Sequence, residues 1–152
     1  MISVLADILF PCFCVSCGSF VMSGDYNICC GCKSGLDFIK DGCPVCCGIT
    51  ENGRCTICGD RKFYPEKNYL IFEYKNVVMD AVHALKFRGV RDVYRALVPF
   101  MLERLREIKE EIDLITYVPM LDKKIKKRGY NQSELFASAM AAEWGKPAAG
   151  IL

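Results

Sequence analysis

Eight of the eleven cysteines fall into four Cys-x-x-Cys pairs: Cys14/Cys17, Cys29/Cys32, Cys43/Cys46 and Cys55/Cys58. The pairs are separated by 11, 10 and 8 residues. A Cys-x-x-Cys turn points two sulfurs at one centre, and a second turn completes a tetrahedron. Four thiolates with no open position suit Zn²⁺, which brings no redox chemistry of its own. Two closed, structural zinc sites are therefore expected. Sequential pairing gives Cys14, Cys17, Cys29 and Cys32 to one ion, and Cys43, Cys46, Cys55 and Cys58 to the other. An interleaved pairing uses the same eight residues, and spacing alone leaves both open. Gly18, Gly48 and Gly59 follow their pairs closely, as tight knuckles require. Pro44 lies inside the third pair, where a fixed φ suits the turn. Cys12, Cys30 and Cys47 remain, each next to a proposed ligand. A nucleophilic role for one of them needs a nearby base, and the single histidine, His83, is far away in sequence. His83 itself reads as a packed residue on a half-apolar helix.

A second stretch carries charge. Lys123, Lys124, Lys126, Lys127 and Arg128 place five cations in six residues. They follow an apolar run, Leu114 to Val118, that reads as a buried parallel strand ending at Pro119. Gly129 gives a hinge. Asn131 caps a new helix, with Glu134 placed to complete a capping box, and Leu135, Phe136, Ala139 and Met140 form its apolar face. A strand, a basic loop and a helix start together make an anion site, because free N–H groups, the positive dipole end and cations converge. An ordinary solvated basic loop is the plain alternative.

These residues need elements to position them. Residues 14–60 read as turns and short ribbons with too little apolar volume for a core, so metal binding must supply folding energy. Ile2, Leu5, Ile8 and Leu9 share one face of a short N-terminal helix stopped by Pro11. The polar segment Arg61 to Lys67, with Pro65, marks a boundary. Tyr69 to Tyr74 reads as a strand, and Lys75-Asn76 as a turn. Val77 to Phe87 has helical spacing closed by Gly89. Val90 to Ile112 is a longer helical stretch, with Val90, Val93, Leu97, Met101, Leu105 and Ile108 inward and Pro99 expected to kink or split it.

Composition narrows the classes. Of 152 residues, 52% are hydrophobic, which argues against disorder. The net charge of +2 does not by itself indicate a nucleic-acid partner. Met1 to Phe13 is apolar but contains Asp7 and lacks a positive leader region and a cleavage pattern. It is also too short to span a bilayer. The reading is a cytoplasmic protein without membrane insertion, its thiols reduced and available to metal.

Taken together, these stretches resemble the ComF family, competence-associated proteins with a phosphoribosyltransferase-like domain. The resemblance rests on Leu9-Phe10-Pro11, the four cysteine pairs, Ala81-Val82-His83-Ala84-Leu85-Lys86-Phe87-Arg88-Gly89, and Val118-Pro119 leading to Arg128-Gly129-Tyr130-Asn131-Gln132-Ser133-Glu134. It implies a small zinc-ribbon module, with the N-terminal helix, over residues 1–62. Residues 63–152 would then be the N-terminal portion of an α/β type I phosphoribosyltransferase-like domain with an incomplete parallel sheet. It further implies pyrophosphate contacts from Lys123, Lys124 and Arg128, Asn131 as the helix cap, and Lys86 and Arg88 near the same ligand. Mg²⁺ is implied only in the full-length family context. The acidic pair and Thr/Gly-rich loop that hold the 5′-phosphate in type I phosphoribosyltransferases do not occur in these 152 residues. The chain thus reads as truncated, catalysis stays open, and an unfinished sheet would leave Leu135, Phe136 and Trp144 short of partners.

Two functions follow as expectations. One is a phosphoribosyltransferase relative, associated with DNA uptake and natural transformation, that binds a phosphoribosyl pyrophosphate-like ligand. The other is a non-catalytic zinc-ribbon module that binds single-stranded DNA or competence-machinery proteins. Phe13, Phe20, Tyr26, Phe38, Phe63 and Tyr64 supply aromatics for the second, but cations are sparse between Cys14 and Cys58, so a protein contact fits the ribbon at least as well.

Overall fold

The computed structural model describes residues 11–39, 42–43, 45–46, 48–52, 54–58 and 67–150. The expected helix over residues 2–9, Pro44, Cys47, Gly59 and the boundary segment 61–66 lie outside them. The chain forms two compact units, one from residues 1–36 with 75–152, the other from residues 37–74.

In the first unit, β1 (Cys12–Phe13) pairs antiparallel with β2 (Phe20–Val21), so Phe13 faces Phe20. A 3₁₀ turn at Ser23–Asp25 follows, and Tyr26 and Asn27 take left-handed φ values of 51° and 63°. Helix α1 (Cys30–Ser34) starts at Cys29, whose sulfur accepts the Cys32 N–H.

After the second unit, α2 (Asn76–His83) runs directly into a π-helical turn at Ala84–Arg88. Gly89, at φ 69°, stops it, as its place after the periodic stretch predicts. Helix α3 (Val93–Leu105) runs through Pro99 without interruption and passes into a 3₁₀ segment at Arg106–Glu111. Val93 and Leu97 are buried as expected, but so are Tyr94, Ala96 and Val98, while Met101 and Leu105 are only half-buried.

Strand β5 (Ile115–Thr116) pairs parallel with β6 (Ala148–Ala149). Between them lie α4 (Asp122–Arg128) and α5 (Gln132–Trp144). This is a β–α–β crossover with a two-stranded sheet. The parallel direction is as expected, but the strand is not buried: Leu114 is 39% exposed and Val118 69%. A parallel strand is covered only when strands and helices flank it on every side, and here a single neighbour pairs with it among the described residues.

The five cations do not form a loop. They belong to α4, which Gly129 closes at φ 86°. Helix α5 has found a partner in α3: Tyr94 and Phe136 meet edge to face at 5.9 Å, and Leu135, Ala137 and Ala141 are buried with Leu97 and Val98. Helix-on-helix packing thus supplies what the short sheet cannot.

In the second unit, β3 (Thr50–Glu51) and β4 (Arg54–Cys55) form an antiparallel hairpin, with Asn52 left-handed at the turn. The strand expected over Tyr69 to Tyr74 reduces to one antiparallel bridge, Phe38 with Phe72. Flanking hydrogen bonds run from Ile39 N to Ile71 O and from Glu73 N to Asp37 O. The two phenyl rings lie 5.3 Å apart.

Asn131 is buried at 4% exposure and joins strand to helix. Its Oδ1 accepts the Ser133 N–H at 3.1 Å, and its Nδ2 donates to Val118 O at 3.0 Å. Asn131→Ala removes both bonds and leaves the Ser133 N–H without its cap. It is expected to destabilise the fold by about 1–3 kcal/mol, read as a lower denaturant midpoint with an unchanged slope.

Candidate metal centres and basic cleft

The eight paired sulfurs gather sequentially. Cys14, Cys17, Cys29 and Cys32 form one group and Cys43, Cys46, Cys55 and Cys58 the other, with the sulfurs in each group within 4.8 Å of one another. Adjacent sulfurs lie 3.6 Å (Cys17 to Cys29), 3.5 Å (Cys43 to Cys58) and 3.3 Å (Cys46 to Cys55) apart. A tetrahedral zinc with bonds near 2.3 Å spaces its sulfurs about 3.8 Å apart, whereas a disulfide needs about 2.0 Å. The groups therefore fit Zn²⁺, and all these cysteines are free thiols.

Local hydrogen bonds shape each knuckle. In the first, Cys14 N donates to Ser19 O at 2.8 Å, and Gly18, at φ 74°, donates to Cys14 O at 3.0 Å. In the second, Val45 N donates to the Cys43 sulfur, and Ile57 N and Cys58 N donate to the Cys55 sulfur, all at 3.3–3.4 Å. A Cβ at Gly48 would stand 2.7 Å from Ile57 Cδ1, the end of an exposed side chain, and 3.2 Å from the Cys46 sulfur.

Without a cation, the thiols of each group divide their protons unequally. Cys17 falls to about 6, because the Ser19 hydroxyl and backbone stabilise its thiolate. Burial and the neighbouring sulfurs push Cys32 up to about 12. In the second group, the Cys58 N–H lowers Cys55 to about 6, while the side chain of Cys55, with burial, raises Cys58. Four thiolates cannot share so small a space unless a positive ion neutralises them. That is the chemistry of a closed four-cysteine centre. Cys12 and Cys30 belong to neither group.

The basic residues form a separate cleft within the first unit. Helix α4 sets Lys124, Lys127 and Arg128 on one face, as i, i+3 and i+4 spacing dictates. Lys86, from the π turn, joins them. Lys86, Lys124, Arg128, Asn131, Gln132 and Ser133 line a cleft of about 570 Å³ at the end of β5, walled by Val118 to Leu121. A neighbouring hollow of about 530 Å³ shares Lys86, Lys124 and Arg128 and adds Phe87 and Lys127. Arg128 Nη1 donates to Gln132 Oε1 at 2.6 Å. Gln132 Nε2 is buried with no acceptor among the described residues.

Of the six candidate phosphate contacts, Lys86, Lys124, Arg128 and Asn131 come together in this cleft. Lys123 and Arg88 line neither hollow. Lys123 lies off the shared helix face, and Arg88 donates to Val15 O at 3.3 Å. His83 meets Phe87 edge-on at 5.8 Å. Gln132 and Ser133 join the cleft without having stood out as candidates, because their only sequence signal is that they follow the cap residue.

Comparison of the chain with protein-family models, with curated proteins and with solved structures finds no match. Among the described residues, no helix is long and apolar enough to cross a membrane.

Metal analysis of the purified chain at neutral pH should give two zinc ions per chain. Occupancy should decline as pH is lowered into the acid range, because protons compete with the metal for all four thiolates of each group. Occupancy unchanged well below pH 5 would contradict thiolate ligation. Gly48→Ala should weaken zinc binding at the second group by about two- to threefold, as measured by chelator competition, because exposed Ile57 can swing aside while the Cys46 sulfur must give by a few tenths of an ångström. The first group should keep its affinity.

Proposed function

We propose that this chain is a zinc-ribbon protein of the ComF type whose basic cleft binds a phosphorylated ligand resembling phosphoribosyl pyrophosphate. The observation that carries the reading is convergence. Lys86 comes from a turn nearly 40 residues before Lys124, yet both stand with Arg128 at the capped N-terminus of α5. Cations, free helix N–H groups and an amide donor without an acceptor together favour an anion of high charge density. A diphosphate can engage several of these donors at once, and Mg²⁺ would balance what charge remains.

The zinc ions are structural in this reading, because four thiolates leave no position for substrate. The association with DNA uptake and natural transformation rests on the motif resemblance, in particular Ala81–Gly89 and Arg128–Glu134. Binding is the function proposed. Transfer chemistry is not, since the Thr/Gly-rich phosphate loop is not among these residues.

A second reading concerns the first ribbon. Phe13, Phe20 and Met22, on and just after the β1–β2 hairpin, are 53%, 53% and 59% exposed. An exposed apolar patch of this kind favours a protein partner over DNA.

Calorimetric titration with pyrophosphate and with phosphoribosyl pyrophosphate, each with Mg²⁺, tests the main reading. Lys124→Ala and Arg128→Ala should each weaken binding about tenfold, and added salt should weaken it further. Lys123→Ala should leave it unchanged. No binding at millimolar ligand would overturn the proposal.

A further inference from the structure

The cleft and the first metal centre share one compact unit, and two contacts join them. Ser16, inside the Cys14–Cys17 knuckle, donates from Oγ to Asp80 Oδ2 at 2.7 Å. Asp80 lies on α2. Arg88 closes the π turn that continues α2, and its Nη1 donates to Val15 O, in the same knuckle. Lys86 sits between these two anchors. A third contact comes from the far side: Tyr130 donates its hydroxyl to Leu85 O at 2.7 Å, and Arg91 lies over the Tyr130 ring at 6.0 Å. Tyr130 immediately precedes the cap Asn131.

A π turn is a strained, wide turn that persists only where its surroundings fix it. Here the surroundings are the metal knuckle on one side and the α4–α5 junction on the other. The Lys86 ammonium is therefore aimed by contacts that do not touch the ligand.

We infer that Ser16, Asp80 and Arg88 are positioning residues through which the first metal knuckle holds Lys86 in the cleft. The inference rests on the reading of that cleft as an anion site. It assigns Arg88 to the knuckle rather than to the phosphate. It also makes the first metal centre part of the binding unit.

The test uses the whole zinc-loaded chain and inorganic pyrophosphate with Mg²⁺. Ser16→Ala leaves every metal ligand in place, so zinc content should stay at two per chain. Pyrophosphate affinity should fall about fivefold, and amide hydrogen exchange over residues 76–89 should quicken about tenfold. Ser16→Thr, which keeps the hydroxyl, should restore both. Asp80→Ala should reproduce the loss, and combining it with Ser16→Ala should add little, because both remove one contact. Asp80→Ala also reads that contact from the helix side should Ser16→Ala fail to retain its zinc. Arg88→Ala should weaken binding and quicken exchange over residues 76–89 together, as loss of an anchor does.

If the wild-type chain binds pyrophosphate and the Ser16, Asp80 and Arg88 variants bind equally well with unchanged exchange, the positioning role is overturned and the cleft reading stands. If Arg88→Ala weakens binding while exchange over residues 76–89 is unchanged, Arg88 is a ligand contact and its assignment here is wrong. If the wild-type chain does not bind pyrophosphate while its zinc content is intact, the cleft reading falls and the inference falls with it.

Discussion

Four cysteine sulfurs within 4.8 Å of one another face a conflict. As thiolates they repel, and as thiols they hold neighbours only weakly. A divalent cation resolves it, and the first unit depends on that resolution. Among the described residues of its N-terminal part, Val15, Val21, Ile28 and Leu36 are the buried apolar ones besides Cys14. These cannot order a hairpin, two left-handed residues and a five-residue helix against the chain's conformational entropy. A metal-closed knuckle can. Once rigid, it offers Val15 O and Ser16 Oγ as fixed partners for α2 and the turn that follows. Order thus passes from a point of coordination chemistry into a helical layer that has its own apolar core.

That helical layer changes how the short sheet must be understood. Two strands of two residues each contribute little by themselves. The β–α–β crossover persists because α5 packs on α3 and because Asn131 and Ser133 secure Val118 O at the strand end. The strand end is thereby open to one side and lined by cations on the other. Exposed Val118 and Leu121 flank Lys124 and Arg128, so an apolar rim borders a polar floor. Such a border suits a ligand with a charged group joined to a less polar body.

What the sequence makes legible is local. The cysteine pairs, Gly89 as a stop, Asn131 as a cap and the helical period of Val77 to Phe87 all depend on neighbours within a few residues. Contacts across the chain are not legible. A run of cations carries no signal for helix or loop, so α4 reads as a loop, and the i, i+3, i+4 selection of Lys124, Lys127 and Arg128 is hidden with it. The resemblance places Arg88 near a ligand, and nothing in its own segment names the backbone carbonyl 73 positions away to which it donates. Leu135 and Phe136 read as needing more sheet, since nothing in their own segment names α3 as the surface that receives them. Tyr69 to Tyr74 has strand composition, yet pairing needs a partner of matching length, and Asp37 to Ile39 supplies one bridge.

The antiparallel bridge of Phe38 and Phe72 has a wider meaning. Asp37 O and Glu73 N meet at 2.9 Å, at the first and nearly the last residue of the second unit. The second unit thus begins and ends at nearly one place. A detour with adjacent ends adds almost no constraint to the path around it, whatever its length. The second cysteine cluster therefore lies in a segment whose ends meet, so a change in the length of that segment can leave the hydrogen bonds at its mouth in place. The first cluster carries other contacts: Val15 and Ser16 in its knuckle bond to Arg88 and Asp80. The two centres look alike in sequence, but they differ in what leans on them.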